Sequence, residues 1–149
     1  MKTQLHDLCH EMGIPLLTPA PARWMLVDDN QAILETLGRM LSFVTDAEIC
    51  AFSSPAAALA AFAAEPRAYD LVLTDFDMPG MCGAELCHSL RAICPSLHVV
   101  LMTGNTGITA ADAHNEGFDA FLPKPFSMHT LQETLASVLA PREELQLVA

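Results

Sequence analysis

Apolar and polar positions along this chain switch repeatedly between two periods. Trp24 to Val27 is an apolar run closed by Asp28, Asp29 and Asn30, the pattern of a buried strand ending at a polar edge. Ile33, Leu34, Leu37, Met40 and Leu41 then recur at helical spacing, with Asn30 or Asp29 available as the N-cap. Glu48 to Phe52 reads as a second strand. Ser54-Pro55 opens a second helix, Ser as cap and Pro at the first position. Its Ala-rich body turns Leu59 and Phe62 inward and stops before Pro66. Leu71 to Thr74 predicts a third strand, closed by Asp75. Leu86, Leu90 and Ile93 mark a third helix that ends at Pro95. Leu97 to Met102 predicts a fourth strand, closed by Thr103-Gly104. A short, weakly apolar helix follows over 109–116, with Gly117 as the residue just past its end. Phe118 to Leu122 predicts a fifth strand, closed by Pro123-Lys124-Pro125. Ser127 caps a last helix that carries Met128, Leu131, Leu135, Val138 and Leu139.

Five strand-then-helix units predict an α/β fold, a parallel sheet with helices on both faces. Continuous apolar strands agree, because such strands are buried on both sides. The pattern occupies residues 23–141. Residues 1–22 lie outside it: Leu5, Leu8, Cys9 and Met12 would form one short amphipathic helix, and GIPLLTPAPA an extended, Pro-rich linker. Residues 142–149 are a tail. The chain beyond the last helix, PREELQLVA, is too short for an output domain, so none is expected on it.

Composition narrows the function. The 149 residues are 52% hydrophobic and 17% charged, enough to bury a core in one domain. Seven Lys and Arg stand against 18 Asp and Glu, a net charge of −11. A nucleic-acid surface needs clustered basic residues, and an anionic membrane attracts them; neither partner is expected. The longest uninterrupted apolar run, Ala56 to Ala64, is far short of the ~20 residues that span a bilayer. The N-terminus, MKTQLHDLCHEMG, has no signal-peptide core. A cytoplasmic protein is expected. The five cysteines include no CxxC pair and are read as reduced thiols. His6, Cys9 and His10 have helical spacing, but three metal ligands without a fourth are read as a polar face. His88, His98, His114 and His129 are scattered and read as surface or packing residues.

The chemistry collects on one rim. Open α/β sheets bind ligands beyond the carboxyl ends of their strands. Here those ends carry Asp28 and Asp29 on the first strand, Asp75 with Asp77 just after it on the third, Thr103 on the fourth and Lys124 on the fifth. Clustered carboxylates repel and raise one another's pKa, so such a group implies a balancing positive charge. Hard oxygen donors suit Mg²⁺. Lys124 supplies a second positive charge; it is one of only two lysines, and it stands between two prolines. A carboxylate nucleophile, a divalent cation, an ammonium and a hydroxyl together form a phosphoryl-transfer site.

The segments WMLVDDN, LVLTDFDMPGMCG, VVLMTGN and FLPKPF resemble the motifs of the receiver domains of two-component response regulators. The acidic pair, D-x-x-M-P-x-x-x-G, Thr-Gly and Lys-Pro-Phe stand in the family's order on the expected strands, over residues 22–140. The resemblance implies a flavodoxin-like doubly wound (βα)5 fold with strand order 2-1-3-4-5. It implies that Asp75 is the phosphoacceptor, charged by a phosphohistidine on a sensor histidine kinase or histidine phosphotransfer protein. Asp29 and Asp75 would ligate Mg²⁺ (or Mn²⁺) directly, with the backbone carbonyl of Asp77 as a third ligand and Asp28 acting through water. Lys124 would pair with Asp75 and then with the phosphate, and Thr103 would turn its hydroxyl onto it. Gly104 would keep the approach open, and Lys124-Pro125 falls where a cis peptide is common. Phe121 takes the place of the switch aromatic, and the face made by the fourth helix, fifth strand and fifth helix would carry the signal, in some members through a phosphorylation-dependent homodimer.

Two departures stand out. Phe121 lacks the hydroxyl of the more usual Tyr, and Asp77 adds a carboxylate two residues past the acceptor. The chain is expected to be no enzyme beyond Mg-dependent self-phosphorylation and autodephosphorylation. Two alternatives fit parts of the pattern. One is the receiver module of a hybrid histidine kinase. The other is a phosphatase of the haloacid dehalogenase type, with Asp75 as nucleophile and Asp77 as general acid. That family places its motif on the first strand, and here the later aspartates, Asp112 and Asp119, close no apolar strand.

Overall fold

The computed structural model describes residues 22–140. Five strands and five helices alternate along the chain: β1 (Arg23–Val27), α1 (Gln31–Ser42), β2 (Glu48–Phe52), α2 (Pro55–Ala64), β3 (Leu71–Asp75), α3 (Gly83–Ile93), β4 (His98–Thr103), α4 (Ala110–Asn115), β5 (Ala120–Pro123) and α5 (Met128–Leu139). The strands form one parallel sheet in the order β2-β1-β3-β4-β5. Among the described residues, no helix is long and apolar enough to cross a membrane. The proposed N-terminal helix, the linker, the His6-Cys9-His10 group and the tail lie outside the described residues.

The sheet divides the core in two, because successive residues of a strand face opposite sides. Met25 and Val27 of β1 pack with Phe62 of α2, Leu86 and Leu90 of α3 and Ala113 of α4. Trp24 and Leu26 pack with Leu34, Leu37 and Leu41 of α1 and Leu131 and Leu135 of α5. β1, β3 and β4 therefore bury both faces, and their polar groups emerge only at the ends.

Capping follows the sequence closely. The Asn30 side chain accepts the N–H groups of Ala32 and Ile33, which decides for Asn30 over Asp29 as the cap of α1. Ser54 and Ser127 accept from the third residues of α2 and α5. α4 is held at both ends. Thr109 and Asp112 form a capping box. At the other end, Phe118 N–H reaches the Ala113 carbonyl and Gly117 N–H the His114 carbonyl. This Schellman closure requires a left-handed residue, which Gly117 supplies at φ +95°.

The structure corrects three expectations. β5 begins at Ala120, not Phe118, because the Phe118 N–H is used to close α4. β4 begins at His98, not Leu97, whose N–H turns back to the Cys94 carbonyl. Ile93 does not face the core: it is 41% exposed, at the last position of α3.

Candidate functional site

The rim beyond the strand ends brings four elements together. Asp28 follows β1 directly, and its Oδ1 accepts the N–H of Asn30 at 2.9 Å. That bond starts the turn into α1 and leaves Oδ2 facing the site. Asp75 is the last residue of β3, Thr103 the last of β4, and Lys124 follows β5. Lys124 Nζ donates to Asp28 Oδ2 at 2.7 Å and to Asp75 Oδ1 at 3.2 Å. Its backbone N–H bonds to the Thr103 carbonyl at 2.8 Å, and its peptide bond to Pro125 is cis. Asp28 is 1% exposed, Asp75 8% and Thr103 2%, whereas Asp29 is exposed.

Asp28, Asp29 and Asp75 each offer a carboxylate oxygen, and these atoms lie within 4.8 Å of one another. Such a set of hard oxygen donors fits a divalent cation of the Mg²⁺ class. Without a cation the carboxylates must be balanced from within. Burial pushes the Asp75 carboxyl up, with a further push from Asp28, and the Lys124 ammonium offsets only part of this. Burial also opposes the charge on Lys124, but hydrogen bonding to Asp28 and the two carboxylate charges outweigh it, so its pKa rises.

Two residues contribute in ways the sequence did not reveal. A Cβ at Gly83 would collide with the backbone carbonyl of Asp75 and meet Phe76 Cα at 3.0 Å. Gly83 N–H also donates to the Phe76 carbonyl at 2.8 Å. The last glycine of DFDMPGMCG thus lets α3 start directly against the end of β3 that carries Asp75. Asn105 is the second. Its N–H donates to Thr103 Oγ1 at 3.0 Å, and its side-chain amide reaches Asp77 Oδ2 at 3.5 Å. The Thr-Gly-Asn spacing was the available signal, since a hydroxyl commonly caps the amide two residues on.

The remaining predicted residues fall around this centre. Asp77 is exposed, on the loop after β3. Phe121 is half-buried on β5 and packs against the core on the α2–α4 side. Gly104 has room for a Cβ, whose nearest neighbour would be Lys124 Cβ at 3.9 Å, so no protein atom demands glycine there. Asp112 and Asp119 are both engaged elsewhere, Asp112 in its capping box and Asp119 with Arg91 and the Val99 N–H. Asp75, moreover, closes the third strand rather than the first, and among the described residues neither Asp112 nor Asp119 supplies the later acidic pair that the phosphatase reading needs.

A parallel five-stranded sheet in the order 2-1-3-4-5, with an acidic cluster and a lysine on its carboxyl rim, defines the receiver class of signalling modules. Residues 25–136 match the response regulator receiver domain family, and the chain belongs to that family, a module of two-component systems. It is 37% identical over 107 residues to a response regulator receiver protein of Anaeromyxobacter sp. (strain Fw109-5), covering 71% of this chain and 44% of that protein. It is 36% identical over 116 residues to the response regulator protein FleR of Pseudomonas aeruginosa, covering 77% of this chain and 24% of that one. The chain thus spans less than half the length of these relatives. A response regulator receiver domain protein from Clostridium thermocellum superposes with a TM-score of 0.74 at 26% identity, covering 84% of this chain and 98% of that one.

Proposed function

We propose that this receiver domain accepts a phosphoryl group on Asp75 from a phosphohistidine of a sensor histidine kinase or histidine phosphotransfer protein. The observation that carries this reading is the convergence of three carboxylates within 4.8 Å on a lysine that bonds two of them. In the transfer a carboxylate oxygen of Asp75 attacks phosphorus. The O–P bond forms as the N–P bond breaks, and the imidazole leaves with that electron pair. Asp29 and Asp75, the Asp77 backbone carbonyl and, through water, Asp28 would hold Mg²⁺ or Mn²⁺. When bound there, such a cation would neutralise charge on the transferring oxygens. Lys124 keeps its contact with Asp28 while its ammonium turns from Asp75 to the new phosphate. Thr103 exchanges the Asn105 N–H for a phosphate oxygen, donating where it formerly accepted. Its movement frees space that Phe121 fills, and the α4-β5-α5 face rearranges, as a docking face for a target protein or for a second, phosphorylated copy. The same chemistry serves a stand-alone regulator or a module of a hybrid kinase, with residues 23–141 as the receiver unit, 1–22 as an extension and 142–149 as a tail.

Incubation with acetyl phosphate and Mg²⁺ tests the acceptor. Intact mass should show one added phosphoryl group on the wild type and none on Asp75→Asn, because an amide is no nucleophile. Full labelling of Asp75→Asn would overturn the assignment.

A further inference from the structure

Ala113 is the only buried residue of α4, and the helix ends are closed by local caps. Between α4 and the sheet lies a cavity of about 220 Å³. Leu101 of β4 and Ala113 of α4 form two of its walls, Ile108 and Phe118 close it before and after the helix, and Phe76 comes from the loop after β3. These five are apolar. Asp112 and Glu116 also line it; they are four residues apart and so stand on one side of the helix, and both are exposed at its rim. Among the described residues, the Asp112 carboxylate accepts only from the Thr109 N–H and hydroxyl. Among the described residues, the nearest cationic partner of Glu116 is His88 at 3.4 Å, charged only when protonated. The C-terminal end of α4 adds partial negative charge beside Glu116.

Apolar cavities of roughly 150 Å³ stay dry and bind benzene, so this one has room for a single aromatic ring. The geometry points to a ligand site beneath α4 for a small aromatic cation, its ring in the cavity and its ammonium beside Asp112 and Glu116. Neutral arenes satisfy the walls alone, and an aromatic carboxylate meets two like charges. Leu101 lies two residues before Thr103 on the same face of β4, so an occupant rests against the strand that carries Thr103. This site goes beyond phosphoryl acceptance and is read in the unphosphorylated protein. Its test therefore stands or falls independently of Asp75.

The test is a titration of the whole chain with benzylamine, benzyl alcohol and benzoate, followed by methyl NMR of Leu101, Ile108 and Ala113. Benzylamine should give saturable shifts centred on those methyls, with benzoate weaker by at least about 3-fold, within the range of exposed charge pairs. Glu116→Gln should weaken benzylamine by about 2- to 5-fold and leave benzyl alcohol unchanged. Ala113→Met, which fills the space, should abolish the shifts for all three. If that variant does not fold, the ligand series on the wild type and Glu116→Gln decides the question. Absence of saturable shifts at these methyls overturns the site. Equal binding of benzylamine and benzoate, or a Glu116→Gln protein indistinguishable from wild type, overturns its charge preference.

Discussion

Lys124 is bound more closely to Asp28 than to Asp75, at 2.7 Å against 3.2 Å. Its ammonium occupies the place of positive charge between two buried carboxylates that would otherwise face each other unbalanced. Lys124→Ala should therefore destabilise the protein without divalent cation by about 1–3 kcal/mol, less than the roughly 3–5 kcal/mol of a fully buried pair, because the Lys124 side chain keeps 16% exposure. Mg²⁺ should then raise the melting temperature of Lys124→Ala more than that of the wild type, since a cation that binds only the folded state stabilises it in proportion to its affinity. Equal Mg²⁺-induced shifts would show that Lys124 does not balance the cluster.

Asp75 is held above the ordinary aspartate range, chiefly by burial. A carboxyl whose folded pKa exceeds its unfolded value favours folding when protonated. That contribution is complete below the unfolded pKa and is lost as pH rises through the folded one. Asp75→Asn carries no charge at any pH. In the absence of divalent cation it should melt above the wild type at neutral pH, and the gap should close as pH falls into the carboxylate range. Thermal melts of both proteins from neutral to acidic pH check this, and a gap that widens on acidification contradicts it.

Gly83 has no room for a methyl group. Gly83→Ala pushes a Cβ into the Asp75 carbonyl and toward Phe76, both backbone and neither able to swing aside. The expected cost is about 1–3 kcal/mol, read from urea denaturation. Labelling by acetyl phosphate should fall as well, because relief of the clash displaces the strand end that carries Asp75. A variant with wild-type stability and labelling would show that α3 can slide without moving the acceptor.

Thr103 Oγ1 accepts the Asn105 N–H in the unphosphorylated protein. In the proposed switch, a change of partner at this hydroxyl would be the differential contact that a shift between two states requires. Phosphorylation, or a beryllofluoride mimic, should move amide resonances across residues 103–128, beyond those next to the metal. Thr103→Ala should keep Asp75 reactive but blunt the remote shifts. Remote shifts equal to those of the wild type would remove Thr103 from the switch.

The sequence by itself determined the alternation of strand and helix and most of the residues that start the helices. It also determined that acidic, hydroxyl and ammonium groups sit at strand ends. These are local facts: a run of apolar residues must be buried, and Asn30, Ser54, Thr109 and Ser127 cap the amides just ahead of them. What lay beyond it depends on neighbours distant in the chain. Asp28 and Asp29 are adjacent and chemically identical, and only the close of β1 decides that Asp28 is buried on Lys124, 96 residues away, while Asp29 stays in solvent. Ile93 fits the helical period but falls at the last position of α3, past the reach of the sheet. Phe118 reads as strand until its N–H is claimed by the α4 carbonyl that needs it. The glycine that ends DFDMPGMCG carries no visible reason in sequence. Its reason is a backbone oxygen of Asp75, placed there by the packing of α3 against the end of β3.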